Sequence, residues 1–188
     1  MAAALGSGID VLESAGSMVV DIGGGTTEIA VISLGGIVCD ASIKVAGDLF
    51  NSDIVNYIRT QHSLYVGDRT AEEVKMKVGS AIEDLDENIP EPMSFQGKDL
   101  TTGKPKKLVI SHEEVAEALN KSISRVEDAM MNVLSETPPE LSSDIYTKGV
   151  YLTGGGALLK GLAKRLSLKT ELPIHVSEDP LRCVVRGT

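Results

Sequence analysis

Residues 17–38 read SMVVDIGGGTTEIAVISLGGIV, and this stretch decides the fold. Met18–Ile22 is an apolar run carrying one acid, Asp21, near its end. Gly23-Gly24-Gly25 then turns the chain, and Thr26–Leu34 runs back, rich in the β-branched residues that suit a pleated surface. Gly35-Gly36 makes a second turn into Ile37–Val45. The pattern predicts a three-stranded antiparallel meander with glycine at both turns.

Outward from the meander the period changes. Asp48–Thr60 carries apolar residues at Leu49, Phe50, Ile54, Val55 and Ile58, a helical spacing with Asp48 placed as N-cap. Thr70–Ile82 predicts a second helix, with Thr70 and Glu73 at capping-box spacing. Glu83–Glu91 holds five acids and a proline and reads as an exposed loop. Residues 93–110 read as a hairpin with a lysine- and glycine-rich turn. Ser111–Leu134 is the longest helix, opened by Ser111 with Glu114 three residues on and closed before Thr137-Pro138-Pro139. Gly149–Thr153 predicts a strand, Gly154-Gly155-Gly156 a turn, Ala157–Leu166 a helix and Pro173–Val176 a last strand. Residues 2–12 begin on Ala-Ala-Ala without a cap, like a helix entered midway.

The fold class expected from this order is α/β: a mixed sheet with flanking helices, of ribonuclease-H type, carrying a smaller inserted α/β subdomain. The expected division is 1–47 with 119–188 for the main subdomain and 48–118 for the insertion. A chain of 188 residues buries on the order of 70% of its extended surface, so it needs no staple. Aromatics are only 3% of residues, which makes the expected core aliphatic. The balance of 18 basic to 27 acidic residues gives −9, a field that repels polyanions and argues against nucleic-acid binding. Two cysteines, Cys39 and Cys183, make no disulfide framework and point to a reducing compartment. No apolar run approaches the ~20 residues of a spanning helix, and the expected location is cytoplasmic.

Two glycine triplets carry the chemistry. In Asp21-Ile22-Gly23-Gly24-Gly25-Thr26-Thr27 the missing side chains allow backbone N–H groups to approach an anion, and consecutive N–H groups form a concave nest. Thr26 and Thr27 add hydroxyls. Asp21 could hold Mg²⁺ through water, as hard cations on phosphates keep much of their hydration. The plain alternative is a glycine-rich hairpin turn with an exposed acid. Thr153-Gly154-Gly155-Gly156-Ala157 joins strand to helix, where a flat ring could lie on bare backbone near a helix start. Its alternative is a tight βα turn. Neither triplet is a Walker loop or a complete dinucleotide fingerprint. His62, His112 and His175 are scattered, without ligand spacing for a metal.

The segment around the first triplet resembles the second phosphate motif of the actin, Hsp70 and sugar kinase superfamily, and GVYLTGGGALLKGL resembles its adenosine motif. IKVAGDLFNSDIVNYIR, YVGDRTAEEVKMKVG, DLTTGKPKKLVISHEEV and EDPLRCVVRGT narrow the resemblance to the MreB family of bacterial actin-like cell-shape proteins, and to its second lobe. The resemblance implies an actin-type ATPase lobe that binds ATP and Mg²⁺. Gly23, Gly24, Gly25 and Thr26 would contact the β- and γ-phosphates, and Asp21 would order the water shell of the metal. Glu72, Glu73 and Lys75 would flank ribose and base, and Gly154, Gly155, Gly156 and Ala157 would pass beneath the adenosine. Glu73 departs from the commonest spelling, where a basic residue is frequent.

The same resemblance puts the catalytic acid upstream of Met1, so the chain alone is expected to hydrolyse nothing. It implies filament subunits of the same protein and membrane-anchored shape and wall-synthesis proteins as partners, at the inner face of the cell membrane. No nucleic acid and no direct membrane contact by this lobe are expected. The implied role is to set rod shape by organising peptidoglycan synthesis. The alternatives are a nucleotide-independent interaction lobe or the lobe of another actin-fold ATPase.

Overall fold

The computed structural model describes residues 1–188, which divide into two compact units. The first unit comprises residues 1–47, 124–158 and 162–188; the second comprises residues 48–123 with 159–161.

In the first unit the meander forms as expected. Strands β1 (Ser17–Ile22), β2 (Thr27–Ser33) and β3 (Gly36–Ile43) are antiparallel neighbours. Strands β7 (Val150–Thr153) and β8 (Ile174–Val176) add in parallel to the other side of β1, giving the order β3-β2-β1-β7-β8. The central strand β1 is buried on both faces, with Met18, Val20 and Ile22 fully buried on one and Val19 buried on the other. A continuous apolar run suits such a position, where an alternating one would suit a half-exposed edge. One face is closed by Ala4 of α1 (Ala2–Gly6) together with Ile9 and Val11, which pack with Val19 and Ile32. The long helix α4 (His112–Glu136) contributes Met130 and Val133 to the core, and α6 (Leu162–Thr170) contributes Leu162 and Leu166.

In the second unit, α2 (Gly47–His62) and α3 (Asp68–Val78) accompany a three-stranded antiparallel sheet of β4 (Leu64–Tyr65), β5 (Met93–Asp99) and β6 (Pro105–Ile110). Phe50, Ile54, Ile58, Leu64, Val74 and Ile110 fill its core. The Ser111 cap behaves as the sequence predicts: the Ser111 N–H donates to Glu114 Oε2 at 3.1 Å.

Several expected boundaries shift. α2 starts at Gly47, which puts Asp48 in the first turn, where its charge favours the positive end of the helix dipole. The capping box at Thr70 and Glu73 does not form. Helix α3 begins at Asp68 behind Gly67, the Thr70 N–H donates to the Gly67 carbonyl at 3.0 Å, and Glu73 lies 3.5 Å from Arg69. The helix expected over 157–166 is two pieces, a 3-10 turn over Gly155–Leu158 and then α6. Between them Lys160 leaves to bridge Ser80, its carbonyl accepting the Ala81 N–H at 2.8 Å. A helix absent from the expected order, α5 (Pro139–Lys148), follows α4 directly. Pro139 occupies its first turn, where a missing N–H costs nothing. A short α7 (Cys183–Arg186) packs on α1. Cys183 is buried, whereas Cys39 on the edge strand β3 is only half-buried.

Candidate functional site

Strands β1 and β7 are parallel neighbours, with Asp21 in register with Thr153. Their carboxyl ends therefore release both glycine triplets side by side, at the kind of sheet edge where ligands of α/β folds bind. The sequence placed the triplets on separate elements; the parallel pairing joins them.

The first loop is a hairpin connection whose ends are spent on its own geometry. The Gly23 N–H donates to the Thr26 carbonyl at 3.0 Å, and the Gly23 carbonyl accepts the Gly47 N–H at 3.1 Å. Gly24, Gly25 and Thr26 are exposed, and Gly24 and Gly25 donate no backbone hydrogen bond to the chain. Neither a positive φ nor a close neighbour requires glycine at 25, since a Cβ there would meet nothing within 4 Å. The space in front of the loop is thus free for an anion, and bare N–H groups line it. Thr27 does not join them. It is fully buried, and its hydroxyl donates to the Val45 carbonyl at 2.6 Å, which corrects the expectation of a second hydroxyl donor.

The second triplet is built differently. Gly154 has φ +81°, and a Cβ there would collide with Asp21 Oδ1 and the Ile22 carbonyl. A Cβ on Gly156 would collide with the Ile22 side chain. These glycines let the turn lie directly on the end of β1. The Gly154 N–H donates to the Pro180 carbonyl at 3.1 Å, and Thr153 Oγ1 donates to the same oxygen at 3.2 Å. Gly155 is exposed, whereas Ala157 is buried.

Asp21 links the two loops. It stands half-buried at the end of β1, against Gly154 on one side and directly opposite Glu28 of β2 on the other. Burial first, and the Glu28 charge second, push its carboxyl above the usual carboxylate range. A cation there would relieve both. The chain holds no group of three or more His, Cys, Asp or Glu side chains arranged for a protein-only metal cage. A single carboxylate beside a phosphate-type loop fits an ion that keeps most of its waters.

Glu72, Glu73 and Lys75 sit on α3 in the second unit. Glu72 Oε2 accepts Asn51 Nδ2 at 2.5 Å and Lys75 Nζ at 2.9 Å. The Lys75 hydrogen bond, then that from Asn51, hold its carboxyl below the usual range. Asn51 of α2 is a partner that sequence reasoning missed, because the two residues lie on different helices. Its Oδ1 is buried without a hydrogen-bond partner. Glu73 faces solvent with Arg69.

Comparison with known proteins fits this arrangement. The sequence model of the MreB/Mbl protein family matches residues 1–188. The chain is 47% identical over 186 residues to the cell shape-determining protein Mbl of Bacillus subtilis, covering 99% of this chain and 55% of that protein. It is 46% identical over 187 residues to the cell shape-determining protein MreB of Escherichia coli, covering 100% of this chain and 53% of the relative. The chain thus spans about half the length of the curated relatives it matches. Among solved structures, MreB5 of Spiroplasma citri bound to AMPPNP superposes with a TM-score of 0.94 at 41% identity, over 99% of this chain and 55% of that one. The MamK double helical filament superposes at 0.75 with 24% identity, over 97% and 55%, a likeness of fold. Along its whole length the chain belongs to the MreB/Mbl family of cell shape-determining, actin-like proteins.

Proposed function

We propose that this chain is the second, nucleotide-binding lobe of an MreB-type filament protein, with residues 1–47 and 119–188 as its main subdomain and 48–118 as the insertion. The carrying observation is the pairing of the two glycine loops on adjacent parallel strand ends with Asp21 between them. The structures of MreB5 with AMPPNP and with ADP support a nucleotide as the ligand.

In this reading the N–H groups of Gly24 and Gly25 and the Thr26 hydroxyl hold the terminal phosphates of ATP. Gly23 fixes the hairpin that presents them. Asp21 orients water on a Mg²⁺ ion, which supplies charge neutralisation on the phosphates when bound. Gly154, Gly155 and Gly156, with Ala157 buried behind them, give the adenosine a flat backbone surface. Glu72, Glu73 and Lys75 are the residues proposed to contact ribose and base, with Glu72 fixed by Asn51 and Lys75. Hydrolysis is assigned to the longer protein, since this chain spans about half the length of its relatives. In that protein ATP would govern association with further copies and with membrane-anchored wall-synthesis proteins at the inner face of the membrane.

Calorimetric titration with Mg-ATP, repeated on Asp21→Ala, tests the proposal. Saturable binding that weakens in the variant supports the half-site. Absence of binding to either protein favours a lobe that acts only through protein contacts.

A further inference from the structure

Asn51 lies near the start of α2, next to the buried Phe50, and reaches across to Glu72 of α3. Glu72 Oε2 accepts both Asn51 Nδ2 at 2.5 Å and Lys75 Nζ at 2.9 Å, and neither bond falls on Oε1. Two donors on one oxygen, one of them charged, fix the carboxylate and leave the lone pairs of its other oxygen. The Glu72 side chain is 45% exposed, so a ligand can reach it, whereas the amide oxygen of Asn51 is buried. Asn51 therefore acts on a ligand through Glu72 and not by touching it.

The amide has one orientation open to it. An ionised carboxylate only accepts, so Nδ2 faces Glu72 and Oδ1 is turned away from it. Oδ1 is buried there and meets no donor. A buried acceptor without a donor costs stability, and an apolar side chain of similar shape would not incur that cost. Stability gives no reason for an amide at position 51; holding the carboxylate does. The Lys75 hydrogen bond, then that from Asn51, also keep the Glu72 carboxyl below its usual range, so it is ionised at neutral pH. Such a group recognises donors. Of the parts of a nucleotide, ionised phosphates offer none, adenine offers its amino group, and the ribose offers its hydroxyls.

We infer that Asn51 is a positioning residue for the nucleotide: by holding Glu72 Oε2 together with Lys75, it leaves Oε1 to accept a ribose hydroxyl, and the half-site thereby tells ribonucleotides from their deoxy analogues. The inference rests on the nucleotide-binding reading above and names the residue that sets this selectivity. A site that hydrogen-bonds a hydroxyl rejects the analogue lacking it, because its own polar group is then left without its partner. The discrimination is about 10-fold, the low end for a hydrogen bond to a charged group, because Glu72 stays partly in water.

Calorimetric titration of the full 188-residue chain with the magnesium complexes of ATP, 2′-deoxy-ATP and 3′-deoxy-ATP tests this. The wild type should bind ATP about 10-fold more tightly than at least one deoxy analogue. Asn51→Ala should reduce that ratio to roughly 3-fold or less, while the urea midpoint holds or rises. Asn51→Leu, close in shape and without polar atoms, gives the same test without a cavity. In a Glu72→Ala background, Asn51→Ala should change the ratio no further, since the group it positions is gone. In the free chain, carbon-13 NMR should show the Glu72 carboxyl of Asn51→Ala titrating at higher pH than in the wild type. A wild type that binds all three nucleotides alike overturns the inference and leaves nucleotide binding standing. An Asn51→Ala effect that persists without Glu72, or a loss of affinity that only follows a lower urea midpoint, also overturns it. Discrimination against purine riboside triphosphate, which lacks the amino group, in place of the deoxy analogues assigns Glu72 to the base and overturns the ribose contact. A chain that binds no nucleotide at roughly 1 mM overturns the inference together with the reading beneath it.

Discussion

Asp21 and Glu28 stand directly opposite each other across the β1–β2 ladder, two carboxylates at the edge where both glycine loops emerge. Like charges so placed destabilise a strand pair, and Asp21 is also half-buried. Its carboxyl is pushed above the usual range, so the folded chain holds this proton more tightly than the unfolded chain. The contribution of Asp21 to stability is therefore largest at low pH. It falls as pH rises from the unfolded value near 3.8 through the raised folded value. Asp21→Asn should remove that loss. Urea unfolding across pH 4–7 should show the variant gaining on the wild type as pH rises, while its affinity for Mg-ATP drops. A variant less stable than wild type at neutral pH would contradict the sign.

The two triplets should respond in opposite ways to the same small substitution. Gly25→Ala adds a methyl group to open space at a backbone angle any residue adopts, so stability should hold or rise by about 0.4–1 kcal/mol. Nucleotide affinity should fall, because the methyl group enters the phosphate space. Gly154→Ala forces a positive φ and a collision with Asp21 and Ile22, and should cost about 2 kcal/mol or more. Thermal unfolding and calorimetry on the two variants separate the roles. Equal destabilisation by both would make the first loop a structural turn like the second.

Glu127 of α4 and Arg165 of α6 form a largely buried ion pair, with Nε to Oε1 at 2.6 Å, and Arg165 also donates to Ser124 Oγ at 3.0 Å. Removing one partner leaves the other charged and largely buried. Glu127→Ala should therefore cost about 3 kcal/mol, and Glu127→Leu with Arg165→Met should recover most of it. Urea titrations of the two variants check the difference. A double variant as unstable as the single one would place the loss in packing.

Local pattern carried most of the fold into the sequence. The meander, the 93–110 hairpin and the Ser111 helix are each written in neighbouring residues: glycine turns, β-branched runs and a cap with its glutamate. What escaped depends on distance. The break at Leu159–Gly161 exists because Lys160 bridges Ser80, eighty residues earlier. Pro138-Pro139 reads as the end of one helix, and only the immediate restart shows that Pro139 also opens another. At the site both loops were legible, but their adjacency follows from the β1–β7 pairing. Asn51 behind Glu72 required two helices to meet.

Thr26 and Thr27 are alike in sequence and should separate completely in experiment. Thr27 is buried, and its hydroxyl satisfies the Val45 carbonyl at 2.6 Å, just before the chain enters α2. Thr27→Val keeps the shape and leaves that carbonyl unpaired, so it should cost about 1–3 kcal/mol. Nucleotide affinity of the folded molecules should stay unchanged. Thr26 is exposed at the mouth of the loop. Thr26→Ala should leave the unfolding midpoint within about 0.5 kcal/mol of wild type, as for an ordinary surface change. Its affinity for Mg-ATP should fall roughly 10- to 150-fold, the worth of one hydrogen bond to a charged phosphate. Urea unfolding paired with calorimetry on both variants reads the two effects independently. Loss of affinity in Thr27→Val at full occupancy of the folded state would return Thr27 to the ligand-binding set.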